Sequence, residues 1–191
     1  MRNRHKQIYS NSSAGILSFQ VRTRFFWTVL LCSVALGCKS QDLLHIPQNI
    51  TPASSAYKTE IFNLVEPDGD QYGTAIGQAV SAAFDHFLKL SGQDVQMLRE
   101  RLLSGPATEG SLWKVGNSHE WLYHICQANQ CNVTNVALFY DEVSHRMAGR
   151  LLYRCALQWL GDPGDAEKAL IENEYPIRIG ADDARIFCRK G

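Results

Sequence analysis

Apolar residues recur at three- and four-residue spacing between about Ala75 and Leu90. Ile76, Ala79, Val80, Ala83, Phe84, Phe87 and Leu88 fall on one face, which predicts an amphipathic helix ended by Gly92. A shorter repeat, Val95, Leu98 and Leu102, predicts a second helix with Ser91 as its cap and Asp94 three residues on, closed by Ser104-Gly105-Pro106. The pattern then changes to the two-residue period and β-branched, aromatic composition of strands. Candidates are Leu112 to Val115, Glu120 to Cys126, Asn132 to Tyr140 and Arg146 to Tyr153, separated by turns at Gly116-Asn117-Ser118, at the cysteine loop, and at Asp141 to His145. Trp121, Tyr123 and Ile125 share one face, which is expected to pack on the long helix. Trp159-Leu160-Gly161-Asp162-Pro163 turns into a helix from about Gly164 to Asn173, and Ile177 to Ile179 offers a short edge strand. The fold class is therefore α+β: an antiparallel meander packed against the helix that precedes it.

The first 73 residues carry a different signal. Residues 1–20 are polar and patternless; Arg22 and Arg24 then precede an apolar run from Phe25 to Leu36, ending in Ala35-Leu36-Gly37-Cys38. A basic region, a short apolar core and small residues at its end describe a secretory signal, and the run falls short of the roughly 20 residues that cross a bilayer. Gly37-Cys38 resembles a bacterial lipoprotein box, which implies lipidation of Cys38 and a periplasmic, membrane-anchored product; cleavage near Gly37 without lipidation is the other reading. A start at Val21, from a GTG codon, is expected if residues 1–20 are not translated. The chain thus divides into an extension and signal (1–37), a tether (38–73) whose second half lies against the domain, and a domain from 74 to 191.

Composition narrows the function. A formal net charge of zero argues against nucleic acid, whose phosphates need a basic surface, and against a polybasic membrane patch. Of six cysteines, Cys32 and Cys38 lie in or beside the signal. The remaining four suggest two disulfides in an exported chain: Cys126 with Cys131 by proximity, and Cys155 with Cys188 by elimination. Cys126-Gln127-Ala128-Asn129-Gln130-Cys131 then reads as a protruding hairpin tip pinned at its feet. So short a ring contributes only about 2 kcal/mol in the chain-entropy model; its larger benefit is a loop that loses little entropy on binding. His124, Cys126 and Cys131 have zinc-like spacing, but a closed site needs a fourth ligand and exported thiols oxidise, so no metal and no cofactor is expected. A Cys126 nucleophile with His124 or His119 is disfavoured for the same reason. His86, His119, His124 and His145 read as solvated or satisfied histidines, and Asp141-Glu142 and Asp68-Gly69-Asp70 as turns. The sequons Asn49-Ile50-Thr51 and Asn132-Val133-Thr134 are coincidental in a bacterial-looking chain.

Residues about 112–160 resemble the Ivy family, inhibitors of vertebrate lysozyme exported by bacteria. The resemblance rests on the Cys126 to Cys131 loop, the strand Val136-Ala137-Leu138-Phe139-Tyr140-Asp141, the glycine-containing strand Arg146-Met147-Ala148-Gly149-Arg150-Leu151-Leu152, and Trp159-Leu160-Gly161 after the sheet. It implies an Ivy-like fold in which the loop enters a lysozyme cleft. The family's loop reads Cys-Lys-Pro-His-Asp-Cys, and its histidine bonds the catalytic carboxylates. Here Gln127 stands for the lysine, Ala128 for the proline, Asn129 for the histidine and Gln130 for the aspartate. Both charges are gone, while Asn129 still donates and accepts hydrogen bonds.

The expected function is a non-enzymatic exported inhibitor of a peptidoglycan-cleaving muramidase, a lysozyme or a lytic transglycosylase, plugged by residues 126–131. An immunity protein against a cell-wall-degrading toxin and a structural envelope lipoprotein are the alternatives.

Overall fold

The computed structural model describes residues 46–188. The signal segment and Cys38 lie outside the described residues. The elements in order are β1 (Gln48–Asn49), α1 (Phe62–Val65), α2 (Ala75–Lys89), α3 (Val95–Leu102), β2 (Ser111–Val115), β3 (Ser118–Cys126), β4 (Asn135–Tyr140), β5 (Met147–Tyr153), β6 (Ala156–Leu160), α4 (Asp165–Glu174) and α5 (Ala181–Phe187). The six strands form one antiparallel sheet in sequence order, so helices and a meander make an α+β unit.

The sheet has two faces with different coverings. Trp121, Tyr123 and Ile125 of β3, Val136, Leu138 and Tyr140 of β4, and Leu151 of β5 meet Val80, Phe84, Phe87 and Leu88 of α2 and Leu98 and Leu102 of α3. The three β3 residues singled out by their alternation do enter the core that the long helix shares, but the helix that meets β3 most closely is α3, while α2 lies over β5. Full burial of each such side chain is worth about 1.5–3 kcal/mol, so this face supplies most of the hydrophobic stabilisation. On the other face Val115, Leu122, Ala137 and Phe139 pack under Leu170 and Ile171 of α4. Burial on both sides explains why β4 reads as an unbroken apolar run after Asn135, every residue of it buried. The architecture has three layers rather than the two that a sheet against one preceding helix would have.

Several local features differ from the sequence-based expectation. Asp94, not Ser91, caps α3, its Oδ1 accepting from the Met97 N–H at 2.7 Å. Ser91 instead closes α2, its hydroxyl donating to the Leu88 carbonyl at 2.6 Å. Segment 38–73, read as a tether, supplies β1, whose Gln48 and Asn49 pair with Lys114 and Trp113. Its second half lies against the domain as expected, and more deeply than a surface segment: Ile61, Leu64 and Val65 are wholly buried, so the core begins before residue 74. Trp159 and Leu160, expected in a turn, form part of β6, and the turn comes after them at Gly161 and Asp162, both with positive φ. The β5–β6 hairpin turns on Arg154 and Cys155, both left-handed at φ 49° and 67°, a conformation more typical of glycine or asparagine. Ile177 to Ile179 form no strand; that stretch runs irregularly into α5.

Candidate functional site

β3 ends in Cys126 and β4 starts at Asn135, and the cysteine loop spans the gap. The Cys126–Cys131 disulfide is formed with its Cα atoms 4.8 Å apart, and Cys155 is bonded to Cys188 at a Cα separation of 5.3 Å. Both lie within the usual separation for cystine. Within the ring, the Gln130 N–H donates to the Gln127 carbonyl at 3.0 Å, closing a tight turn. Asn129 occupies the left-handed position of that turn at φ 59°, where asparagine is among the few tolerated side chains.

The ring is braced from both sides. The Cys126 N–H donates to the Pro106 carbonyl at 3.2 Å, and the Ala128 N–H to Ser104 Oγ at 3.1 Å. A Cβ on Gly105 would stand 2.3 Å from the Cys126 carbonyl oxygen and 2.5 Å from the Ala128 nitrogen, so only glycine lets these two segments lie against each other. On the far side the Gln130 carbonyl accepts from the Val133 and Thr134 N–H groups, and the Asn135 side chain donates to the Cys131 carbonyl at 2.7 Å. The expected four-residue plug is thereby reduced. Cys126 is buried, and Gln127, Ala128, Gln130 and Cys131 are half-buried. Gln127 Oε1 is buried without a partner. Asn129 is the single exposed residue of the ring. Chain reversal over so few residues, pressed on Ser104 to Pro106, leaves only its apex in solvent.

The candidate histidines separate cleanly. His124 lies on the α4 side of the sheet, its ring stacked on Tyr175 with centroids 4.4 Å apart. Burial, and then the Arg150 charge, push its pKa down to about 4, so it is neutral near pH 7. His145 Nδ1 pairs with the Tyr140 hydroxyl at 2.7 Å, while His86 and His119 are exposed. No group of three or more metal-ligating side chains occurs among the described residues. Asp141 holds its turn by accepting from the Val143 and Ser144 N–H groups, and Glu142 accepts from the Trp121 indole.

Two polar constellations escaped the sequence reading. Glu120 of β3 and Glu167 of α4 share Arg146 of the β4–β5 connection, at 3.6 and 3.1 Å. Burial, reinforced by Glu167, raises the Glu120 pKa to about 8. Burial alone would raise Glu167 too, but hydrogen bonds from Arg146, Glu120 and the Gly164 N–H hold it below the usual carboxylate value. One cation serves two buried carboxyls, so one of them keeps its proton. The second is a row across the sheet, His124–Ala137–Arg150–Trp159, set by the register of β3 to β6. The available signal was a charged residue inside an apolar strand, Glu120 and Arg150, which alternation alone reads as solvent-facing.

Comparison with known protein families, with curated proteins and with solved structures finds no match to this chain.

Proposed function

We propose that this chain is an exported, non-enzymatic binding protein that inhibits a peptidoglycan-cleaving muramidase, either a lysozyme or a lytic transglycosylase, through the 126–131 loop. The reading includes a periplasmic location with Cys38 as lipid anchor. The observation that carries it is the way the ring is held: a disulfide, a glycine-permitted brace and the six backbone and side-chain hydrogen bonds described above fix one neutral amide at the apex. An apex ordered before binding loses little conformational entropy on association. A muramidase uses a general-acid carboxyl in a sugar-binding groove. Asn129 offers both a carboxamide donor and an acceptor to such a group without placing a second anion beside it. With Gln127 turned inward, Asn129 carries the contact and Ala128 and Gln130 form its shoulders.

The test is a binding titration of residues 39–191 against a panel of lysozymes and a lytic transglycosylase, with peptidoglycan turnover followed in parallel. Asn129→Gly is the decisive variant, because glycine keeps the left-handed backbone and removes only the amide. Loss of its hydrogen bonds to a charged partner is expected to weaken binding about ten- to a hundredfold. Equal binding by Asn129→Gly and the parent would remove the plug.

One observation favours a second reading. Most hydrogen bonds of the ring are directed into its own protein, which is what a turn that merely terminates β3 and β4 in a structural envelope protein would also need. In that case no panel member binds.

A further inference from the structure

We infer that the α4 side of the sheet holds a binding pocket for a small organic carboxylate, built around Arg150. The pocket follows from the row of paired residues crossing β3, β4 and β5. His124 and Arg150 flank Ala137 on the same face, and the short alanine between two long polar side chains leaves a hollow. Helix α4 covers the neighbouring apolar ground with Leu170 and Ile171. It then ends at Glu174, and Tyr175 closes one wall by stacking on His124. The result is a cavity of about 320 Å³ lined by His124, Asn135, Arg150, Glu174, Tyr175 and Arg178.

The electrostatics of this cavity are unbalanced. Arg150 is only 2% exposed, yet it takes part in no ion pair among the described residues, where Arg99, Arg146 and Arg185 each have a carboxylate. Among the described residues its one acceptor is the Tyr175 carbonyl, at 2.6 Å from Nη2, and its Nε–H is buried with no partner. Asn135 has the complementary deficit: its amide donates to Cys131, while Oδ1 is buried and unpaired. Glu172 acts on Arg150 only from beyond ion-pair distance, and burial of a charge without a paired counter-charge costs several kcal/mol unless something compensates it. Burial accordingly pushes the Arg150 pKa down from its ordinary value.

An occupant that restores the balance is a compact anion. The charged lining is Arg150 and Arg178 against Glu174, with Glu172 lining the adjoining hollow beside Arg150; so modest a positive balance suits a monoanion better than a phosphate dianion. A guanidinium edge donates two parallel hydrogen bonds to a carboxylate. The free Asn135 oxygen calls for an N–H or O–H on the same molecule, as in a hydroxy or acylamino acid. Cys131, the foot of the loop, also lines the cavity, so an occupant would press on the base of the ring from below.

The experiment uses the protein with both disulfides intact, sodium lactate as the probe, and sodium phosphate and sodium chloride as comparators at equal ionic strength. Lactate at about tenfold its half-saturating concentration is expected to raise the melting temperature by about 3 °C. In NMR spectra the side-chain signals of His124 and Asn135 shift along the same saturation curve. Arg150→Met removes the buried charge, is expected to abolish the response, and need not destabilise the fold. Arg178→Ser, at the exposed rim, is expected to weaken binding about three- to tenfold. If Arg150→Met does not fold, the mapped signals decide: shifts gathered at His124, Asn135 and Tyr175 uphold the pocket, and shifts elsewhere overturn it. It is also overturned by no saturable response up to about 50 mM lactate, by an equal response to chloride, by a response to phosphate alone, or by an undiminished response in a folded Arg150→Met.

Discussion

Glu120→Gln isolates the buried carboxyl pair, and its effect follows from the titration of its neighbours. Glu120 has a folded pKa raised from 4.5 to about 8. It therefore favours the fold below pH 4.5, and that contribution drains away as pH rises through about 8, at about 1.4 kcal/mol per pH unit. His124 works in the opposite sense. Its folded pKa is lowered from 6.5 to about 4, so stability is lost as pH falls from 6.5 toward 4. Glu167 is held below its ordinary value, so its contribution changes only below pH 4.5. Between pH 4.5 and 6.5 the Glu120 and His124 slopes cancel. Between 6.5 and 8 Glu120 acts alone and stability falls by about 2 kcal/mol. Glutamine keeps the shape and can donate to Glu167 as the protonated acid does, without the charge. The variant is expected to lose the decline above pH 6.5 and to expose the His124 slope below it, rising by about 3 kcal/mol between pH 4 and 6.5. Urea unfolding at a series of pH values measures both limbs. Parallel curves for the variant and the parent between pH 6.5 and 8 would refute the shared-proton description.

Gly105→Ala is expected to push the cysteine ring off its brace without altering the ring, since the new Cβ would meet the Cys126 carbonyl at 2.3 Å; a muramidase titration should show weakened binding, with a stability loss of about 1–3 kcal/mol by urea. Gly149→Ala meets the Ala137 carbonyl at 2.3 Å in the middle of the sheet, and a larger loss, about 3 kcal/mol or more, is expected in the same assay. Replacing Cys155 and Cys188 by serine opens a 33-residue separation, worth at most about 4 kcal/mol. Because α5 buries no residue, hydrogen exchange should show α5 released while β3 to β5 keep their protection. Asn129→Ala is expected to lose about 1 kcal/mol of stability through its left-handed backbone, where Asn129→Gly loses only tenths.

The long helix, the strands β2 to β5 and the face shared by Trp121, Tyr123 and Ile125 were legible because each rests on local periodicity. What was hidden depends on partners far away in sequence. β6 was missed because its hairpin turns on Arg154 and Cys155, which carry no turn signature. β1 is two residues long and exists only through pairing with β2. The covering of the second face by α4 was implied by the unbroken apolar run of β4, yet a single strand does not say what lies over it. The cysteine ring was recognisable from its spacing, whereas its low profile comes from Gly105, far upstream of Cys126. The Arg150 pocket needed the register of three strands to become visible.

The most direct test of the account is the affinity of the oxidised 39–191 chain for a muramidase, compared with its Asn129→Gly variant. Saturable binding that blocks peptidoglycan turnover, weakened about ten- to a hundredfold by the glycine, is the predicted result. Absence of binding to every lysozyme and lytic transglycosylase at micromolar concentration would contradict it and leave the ring as a structural turn.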